Sequence, residues 1–353
     1  MAHPETLEYA SDVQSVDAIA KRLRISLTSS CNLACFFCHN EGQGPLTPQR
    51  SSSLSVADYV EIVKAAVDNG VTQIKLTGGE PLIYRDGALS IVDLVTGIAN
   101  LKSRHDFELS MTTNGVLLSK FASKLSAAGL DRVTISIHAL GAANHAAFIA
   151  KAPSSRFFSP ATALEAASQS GLGPVKVNTV LFGDSEVGSV GELQSINKLV
   201  MEHNVTELRL YTIIDPERNG VSPQWHRQWS DGLAEDVGSI LFSETDALGF
   251  AQKVRSFLRA DSSALQRRSL RVRSNIDYVI DAMEPERFGA LGITDEGPYA
   301  IRIAADGTMR SYLNHEGALA TSVLEVAGGV KSLSRLRLLF EEAQESFQLR
   351  HAE

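Results

Sequence analysis

The sequence predicts an α/β protein of six β-then-α units, an incomplete barrel with a polar lumen, followed by a less regular C-terminal segment. Three observations predict it. Short runs with an apolar period of two alternate with stretches of helical period from residue 23 to residue 214. Units in that order place their strands parallel, joined by right-handed crossovers. On five successive strands one face is polar: Arg24/Ser26/Thr28, Lys75/Thr77, Ser110/Thr112/Asn114, Thr134/Ser136/His138 and Lys176/Asn178. Parallel strands covered on both faces read as unbroken apolar runs, so five polar faces in succession point to a lumen that holds a polar ligand. Two or three such faces could simply meet solvent at a sheet edge. A closed barrel would need two further units, which the sequence does not supply clearly.

Taken in order, residues 1–20 carry no recognisable chemistry, and Asp17–Lys21 reads as a short helix. Leu23, Ile25 and Leu27 form the apolar face of a first strand that ends at the cysteines. Gly42 to Ser53, rich in Gly, Pro, Ser, Thr and Gln, reads as a loop. Ser55 caps a helix with Asp58 three residues on, Gly70 stops it, and Val56, Val60, Val63 and Val67 form its expected buried stripe. The unit then repeats. Strands are expected at Ile74–Thr77, Phe107–Thr113, Arg132–His138, Lys176–Leu181 and Glu207–Ile214. Helices are expected at Ile91–Leu101, Leu117–Ala128, Ala161–Ser170 and Val190–His203.

After Asp215 the regularity goes. Trp225–Trp229, Asp231–Leu241 and Ala251–Ala260 read as helical, and Asp306-Gly307 as a hairpin turn between Ile301–Ile303 and Met309–Ser311. Leu333, Leu336, Leu339, Phe340, Ala343 and Phe347 make an amphipathic last helix. The expected organisation is therefore a segment 1–20, a barrel 21–215 and a covering region 216–353.

At 353 residues, 44% hydrophobic and 21% charged, the chain has the composition of an ordinary globular protein with a substantial core. No run is long enough to span a bilayer, and the acidic start lacks the basic-then-apolar pattern of a signal peptide. A cytoplasmic protein with no membrane partner is expected. A net charge of -8 argues against polymeric RNA or DNA, which calls for a basic stripe. A single nucleotide or another small anion stays open.

All three cysteines lie in one run, Cys31-Asn32-Leu33-Ala34-Cys35-Phe36-Phe37-Cys38. An odd number crowded together speaks against disulfides. Three soft thiolates suit zinc or an iron–sulfur cluster, and the uneven C-x3-C-x2-C spacing suits three corners of a cubane with one iron left open. The zinc alternative would add His39, although zinc ligands usually fall into two distant pairs.

This cysteine run after a first strand, then Gly78-Gly79-Glu80-Pro81 and Thr112-Thr113-Asn114-Gly115, resembles the radical S-adenosylmethionine (SAM) enzymes. Leu23-Arg24-Ile25-Ser26, Leu76 to Leu82, Gly129 to Val133 and Ile303 to Gly307 look like the GTP 3',8-cyclase branch of molybdenum-cofactor synthesis. The resemblance covers residues 20 to 215 well and 295 to 315 less closely. It implies an incomplete (β/α)6 radical SAM barrel with a C-terminal extension, and a [4Fe-4S] cluster on Cys31, Cys35 and Cys38 that chelates SAM. It also implies an external one-electron donor such as flavodoxin or ferredoxin. SAM contacts are implied at Phe37, Gly78, Gly79, Glu80, Asn114, Ser136 and Ile214. The implied reaction is reductive cleavage of SAM to a 5'-deoxyadenosyl radical, which abstracts hydrogen from a substrate in the lumen.

The branch's anion-binding positions fall at Arg24, Lys75, Lys176 and Arg302, each of which could instead serve a structural salt bridge. Its three auxiliary-cluster cysteine positions fall at Asp295, Pro298 and Tyr312, and Ala300 replaces a further arginine. One cluster and a small anionic substrate are therefore expected, namely a nucleotide, nucleoside or sugar acid undergoing cyclisation, decarboxylation, dehydration or epimerisation. No acid–base residue is assigned; His138 is either a hydrogen-bonding lumen residue or a proton donor. Two alternatives remain. A ribosomal-peptide substrate would call for a peptide-recognition domain and more C-terminal cysteines. A zinc-stabilised binding protein would bind no SAM.

Overall fold

Each of the six strands expected from the two-residue period forms between Arg22 and Tyr211, with its apolar side buried. The computed structural model describes residues 7–14, 18, 20–38, 54–149, 159–184, 188–213, 229–260, 267–281, 300–310, 321–322 and 338–345. In chain order the barrel region contains β1 (Glu8–Gln14), β2 (Arg22–Ser26), α1 (Val56–Asp68), β3 (Gln73–Thr77) and a two-residue hairpin of β4 (Arg85–Asp86) and β5 (Leu89–Ser90). There follow α2 (Ile91–Ala99), β6 (Glu108–Thr113), α3 (Leu118–Ala127), β7 (Arg132–Ser136), α4 (Ala142–Phe148) and α5 (Pro160–Gln169). Next come β8 (Lys176–Val180), α6 (Ser189–Glu202), β9 (Glu207–Tyr211), α7 (Asp231–Leu241) and α8 (Glu244–Arg259). The C-terminal strands are β10 (Arg267–Arg273), β11 (Asp277–Asp281), β12 (Ile301–Ile303), β13 (Thr308–Arg310) and β14 (Thr321–Ser322).

The six strands β2, β3, β6, β7, β8 and β9 lie side by side in sequence order, every pair parallel. That is the predicted partial barrel. The structure adds a parallel strand at each end: β11 beside β9 and β12 beside β2. These two do not pair with each other among the described residues, so the sheet stays open. Antiparallel strands continue it outward, β10 and β1 on one side, β13 and β14 on the other.

Two of these strands correct the sequence reading. Residues 8–14, for which the sequence reading named no element, form β1 against β10, seven register pairs long. Residues 267–273 sit where no regularity was expected, because arginines at 267, 268, 271 and 273 obscure the pair Leu270 and Val272, both fully buried.

Leu23, Ile25, Ile74, Leu76, Leu109, Met111, Val133 and Ile135 are at most 1% exposed and face the outer helices. Each such side chain stabilises the fold by roughly 1.5–3 kcal/mol relative to exposure. The Ser55–Asp58 capping box forms as expected, Ser55 N–H donating to Asp58 Oδ2 at 3.0 Å and Asp58 N–H to Ser55 Oγ at 3.2 Å. The stripe of α1 is rotated from the expected one. Tyr59, Ile62, Val63 and Ala66 are its deepest residues, while Val56 and Val60 are half-buried at its flank, where Gly97 of α2 leaves room for Val60. A tyrosine outweighs a valine in apolar area and turns the helix to bury itself. No helix among the described residues is long and apolar enough to cross a membrane.

Candidate active site

The strand carboxyl ends surround a cavity of about 210 Å³. At least one residue from each of the five predicted polar faces lines it: Arg24, Thr77, Thr112, Asn114, Ser136, His138 and Asn178. A sixth polar face, Glu207/Arg209/Tyr211 of β9, was missed although its alternation is plain in the sequence; Tyr211 reaches the cavity. All three cysteines line the same wall.

Backbone contact sets the cysteine loop in place. Gly79 N–H donates to Thr28 O at 2.6 Å and Glu80 N–H to Ser30 O at 2.9 Å, so the turn after β3 lies directly on the residues that lead into Cys31. A Cβ at Gly79 would sit 2.0 Å from Ser30 O, and one at Gly78 would sit 2.6 Å from Thr28 O. Gly78 also holds φ at +144°, where side chains are rarely tolerated. Only glycine fits either position.

Glu80 is fully buried and does not line the cavity. Its carboxylate accepts from Leu82 N–H at 3.0 Å, Thr113 Oγ1 at 2.7 Å and Asn114 N–H at 2.8 Å. Burial pushes its pKa up to about 7 against the pull of those three donors. It therefore ties the end of β3 to the end of β6 and thereby aims Asn114. The Asn114 amide donates to Asn32 Oδ1 at 2.7 Å and to Cys31 Sγ at 3.7 Å, and Leu33 N–H donates to the same sulfur at 3.3 Å.

Phe37 packs edge-on against His138, with centroids 4.8 Å apart, within a group completed by Phe36, Phe148 and Phe182. His138 accepts Val180 N–H on Nδ1 at 3.0 Å, so the proton resides on Nε2. Burial pushes its pKa down to about 4, which makes it a neutral hydrogen-bond donor at physiological pH.

The predicted basic residues separate into two groups. Arg24 lines the cavity and donates to Thr77 Oγ1 at 3.4 Å. Lys75 and Arg302 are its register partners on β3 and β12, outside the cavity lining. Lys176 instead binds Glu207 at 3.1 Å, as do Arg209 at 3.0 Å and Arg271 at 3.1 Å. Burial alone would raise the Glu207 pKa, but these three cations bring it down to about 2. For Lys176 the salt-bridge reading is the one the geometry favours. Ile214, His39, Asp295, Pro298 and Tyr312 lie outside the described residues; Ile213, beside the first of them, lines the cavity.

The chain matches the radical SAM superfamily over residues 25–191. It is 30% identical over 334 residues to a probable GTP 3',8-cyclase of Sulfurisphaera tokodaii, covering 92% of this chain and 90% of that protein. The chain belongs to the radical SAM superfamily, in its GTP 3',8-cyclase-like branch. A probable GTP 3',8-cyclase of Thermoplasma volcanium is 31% identical over 78% of each chain. One from Methanococcus aeolicus is 35% identical over 49% of this chain, a match that spans about half (54%) of that relative. Among solved structures, Streptococcus suis SuiB bound to precursor peptide SuiA has a TM-score of 0.54 at 15% identity, covering 90% of this chain and 66% of that one. anSMEcpe with bound AdoMet (SAM) gives 0.54 at 15% identity, covering 90% and 79%. Both share the fold.

A radical SAM enzyme works with a [4Fe-4S] cluster, SAM, an external electron donor and a small substrate, and the site fits that cofactor. Cys31, Cys35 and Cys38 offer three soft donors on one cavity wall. As neutral thiols, Cys31 and Cys35 are poor acids. Burial pushes the Cys31 pKa up to about 11, with Glu80 and Cys38 adding to the rise, and burial raises Cys35 as well. Iron reverses that logic by holding them as thiolates. Membership of the radical SAM superfamily, with relatives named as probable GTP 3',8-cyclases, sets aside the zinc-stabilised binding protein.

Proposed function

We propose that this chain is a single-cluster radical SAM enzyme that takes a hydrogen atom from a small anionic substrate: a nucleotide, a nucleoside or a sugar acid. One observation carries the anion. Arg24 lines the cavity, and Lys75 and Arg302 are its register partners on the adjacent parallel strands β3 and β12, so three cations lie at one level across β3, β2 and β12. Arg302 is only 5% exposed. Cations gathered at one level in a sheltered lumen favour a carboxylate or phosphate. Three cysteines in the whole sequence are enough for one cluster and leave none for a second.

When bound, the reduced cluster and SAM supply a 5'-deoxyadenosyl radical. The chain's own residues do the rest. Cys31, Cys35 and Cys38 hold the cluster. The Gly78-Gly79 turn, Asn114, Ser136 and Phe37 surround the place for SAM, and the aromatic group behind Cys35 keeps water from it. The Arg24 row orients the substrate's anionic end, and the His138 Nε2–H is available to an acceptor in the cavity. Positioning and exclusion of competing hydrogen donors are the protein's contribution to such chemistry.

The relatives named as probable GTP 3',8-cyclases make GTP the first substrate to assay, followed by nucleosides and sugar acids carrying deuterium. The expected result is deuterium transfer into 5'-deoxyadenosine with one of these anions. Arg24→Ala is expected to raise the KM for it about tenfold to hundredfold, as loss of a charged hydrogen bond does. Deuterium transfer from a peptide but from none of the anions would overturn the reading.

A further inference from the structure

α4 is a seven-residue helix that the sequence reading passed over, and its two ends meet different parts of the molecule. At its C-terminal end, Phe148 O accepts Phe36 N–H at 3.1 Å and Ile149 O accepts Ala34 N–H at 3.0 Å. Those two amides flank Cys35 in sequence. The Phe148 ring rests on Phe36 at 5.6 Å and edge-on against Phe182 at 5.3 Å. The middle of the cysteine loop thus hangs from the last turn of α4.

The N-terminal end has no cap of its own, since the capping position is Gly141 and no local side chain bonds there. Glu192, in the first turn of α6, reaches across instead. Its Oε2 accepts Leu140 N–H and Gly141 N–H, the latter at 3.0 Å, and its Oε1 accepts from Asn144 Nδ2. A Cβ at Gly141 would lie 2.8 Å from Glu192 Oε1, so the glycine makes room for the carboxylate. A helix this short is not stable by itself, and a carboxylate bound to the two amides that lead into it and to the Asn144 side chain of its first turn is the interaction that fixes it.

We infer that Glu192 is a positioning residue for the cluster loop. It holds α4 at its N-terminus, α4 holds Ala34 and Phe36 through two carbonyls, and these hold Cys35 against the cavity. The carboxylate acts about 50 residues away in sequence and touches no cysteine and no cavity-lining group except through α4. The inference stands on these hydrogen bonds and is independent of the substrate reading.

Hydrogen exchange on the metal-free chain tests it directly. In Glu192→Ala, the amides of Ala34 and Phe36 are expected to exchange about tenfold or more faster, the effect of losing a charged cap on a local opening. Strand amides at 109–111 and 133–135 are expected to stay as they were. In Glu192→Gln the side-chain oxygen still accepts from Leu140 and Gly141, and Asn144 can turn its own oxygen to the new amide, so protection at both sites is expected to return. After cluster reconstitution, Glu192→Ala is expected to lose iron to a chelator faster than either the parent or Glu192→Gln. Should Glu192→Ala not fold, Asn144→Ala removes one contact of three and is expected to give a smaller rise at the same two amides. Unchanged protection at Ala34 and Phe36 in the folded variant, or an equal rise across the strands, would overturn the assignment.

Discussion

The two ends of the lumen are built by different means. At the strand carboxyl ends, backbone lies on backbone: Gly79 on Thr28, Glu80 on Ser30, and α4 carbonyls on the cysteine loop. Lower in the lumen, side-chain charge meets side-chain charge, with Glu207 binding Lys176, Arg209 and Arg271, and Arg271 also binding Asp277 at 2.7 Å. At Gly78 and Gly79 the first kind of contact tolerates one residue type, because any Cβ collides. The second tolerates several, because a charge can be balanced from more than one strand. The close backbone contacts lie beside the cysteines, whereas the charge cluster lies outside the cavity lining and ties β8, β9 and β10 together.

Substitutions can break that contrast, the most damaging first. Gly79→Ala puts a methyl group 2.0 Å from Ser30 O, so the turn and the cysteine loop cannot both keep their places. The chain is expected to lose cluster reconstitution, measured as iron and absorbance near the cluster bands, while circular dichroism keeps its α/β character. Glu80→Ala removes the acceptor from three buried donors and is expected to cost about 3 kcal/mol or more in denaturant unfolding. Glu80→Gln keeps one oxygen and is expected to cost less than half as much.

Below the mouth the expected effects are smaller and depend on pH. The Glu207 pKa of about 2 lies below that of the unfolded chain, so the carboxylate stabilises the fold above pH about 4.5 and loses that contribution as pH falls towards 2. In an acid titration of unfolding free energy, Glu207→Gln is expected to be less stable than the parent at pH 7 by on the order of 3 kcal/mol, to keep part of that deficit at pH 3, and to converge with the parent only as pH falls to about 2 and below. A gap that persists at low pH would mean the cluster of charges is not what stabilises that wall. The least disruptive probe leaves the sequence intact. With the His138 imidazole held neutral, its nitrogen resonances are expected to report the Nε2–H tautomer from pH 8 down to about 4.

The same contrast explains what could be read from the sequence. The cysteine run and the Gly-Gly-Glu-Pro turn were legible because each answers a local ligand or steric demand with one residue type; Asn114 was named only through the resemblance, and its bonds to Asn32 and Cys31 needed the structure. The six parallel strands were legible because their period of two survives burial on one side. The commitment of Lys176 to Glu207 was hidden, since 31 positions separate the partners and nothing local marks a lysine as paired. Glu192 was hidden for the same reason, reaching a glycine-capped helix from another unit. The strands β10 and β1 were hidden by charge: the arginines of β10 and Glu8 and Asp12 of β1 make both read as solvated chain. Glu80 was placed at the right turn, but its role as a buried tie between β3 and β6 needed the structure.

The most direct test of the central claim is anaerobic purification with iron and sulfide counts, followed by an assay for 5'-deoxyadenosine after SAM and dithionite are added. The account predicts about four irons per chain, as one cubane requires, together with 5'-deoxyadenosine formation. About eight irons per chain would contradict the single cluster, and a colourless protein that leaves SAM intact after reconstitution would contradict the assignment of the cysteines.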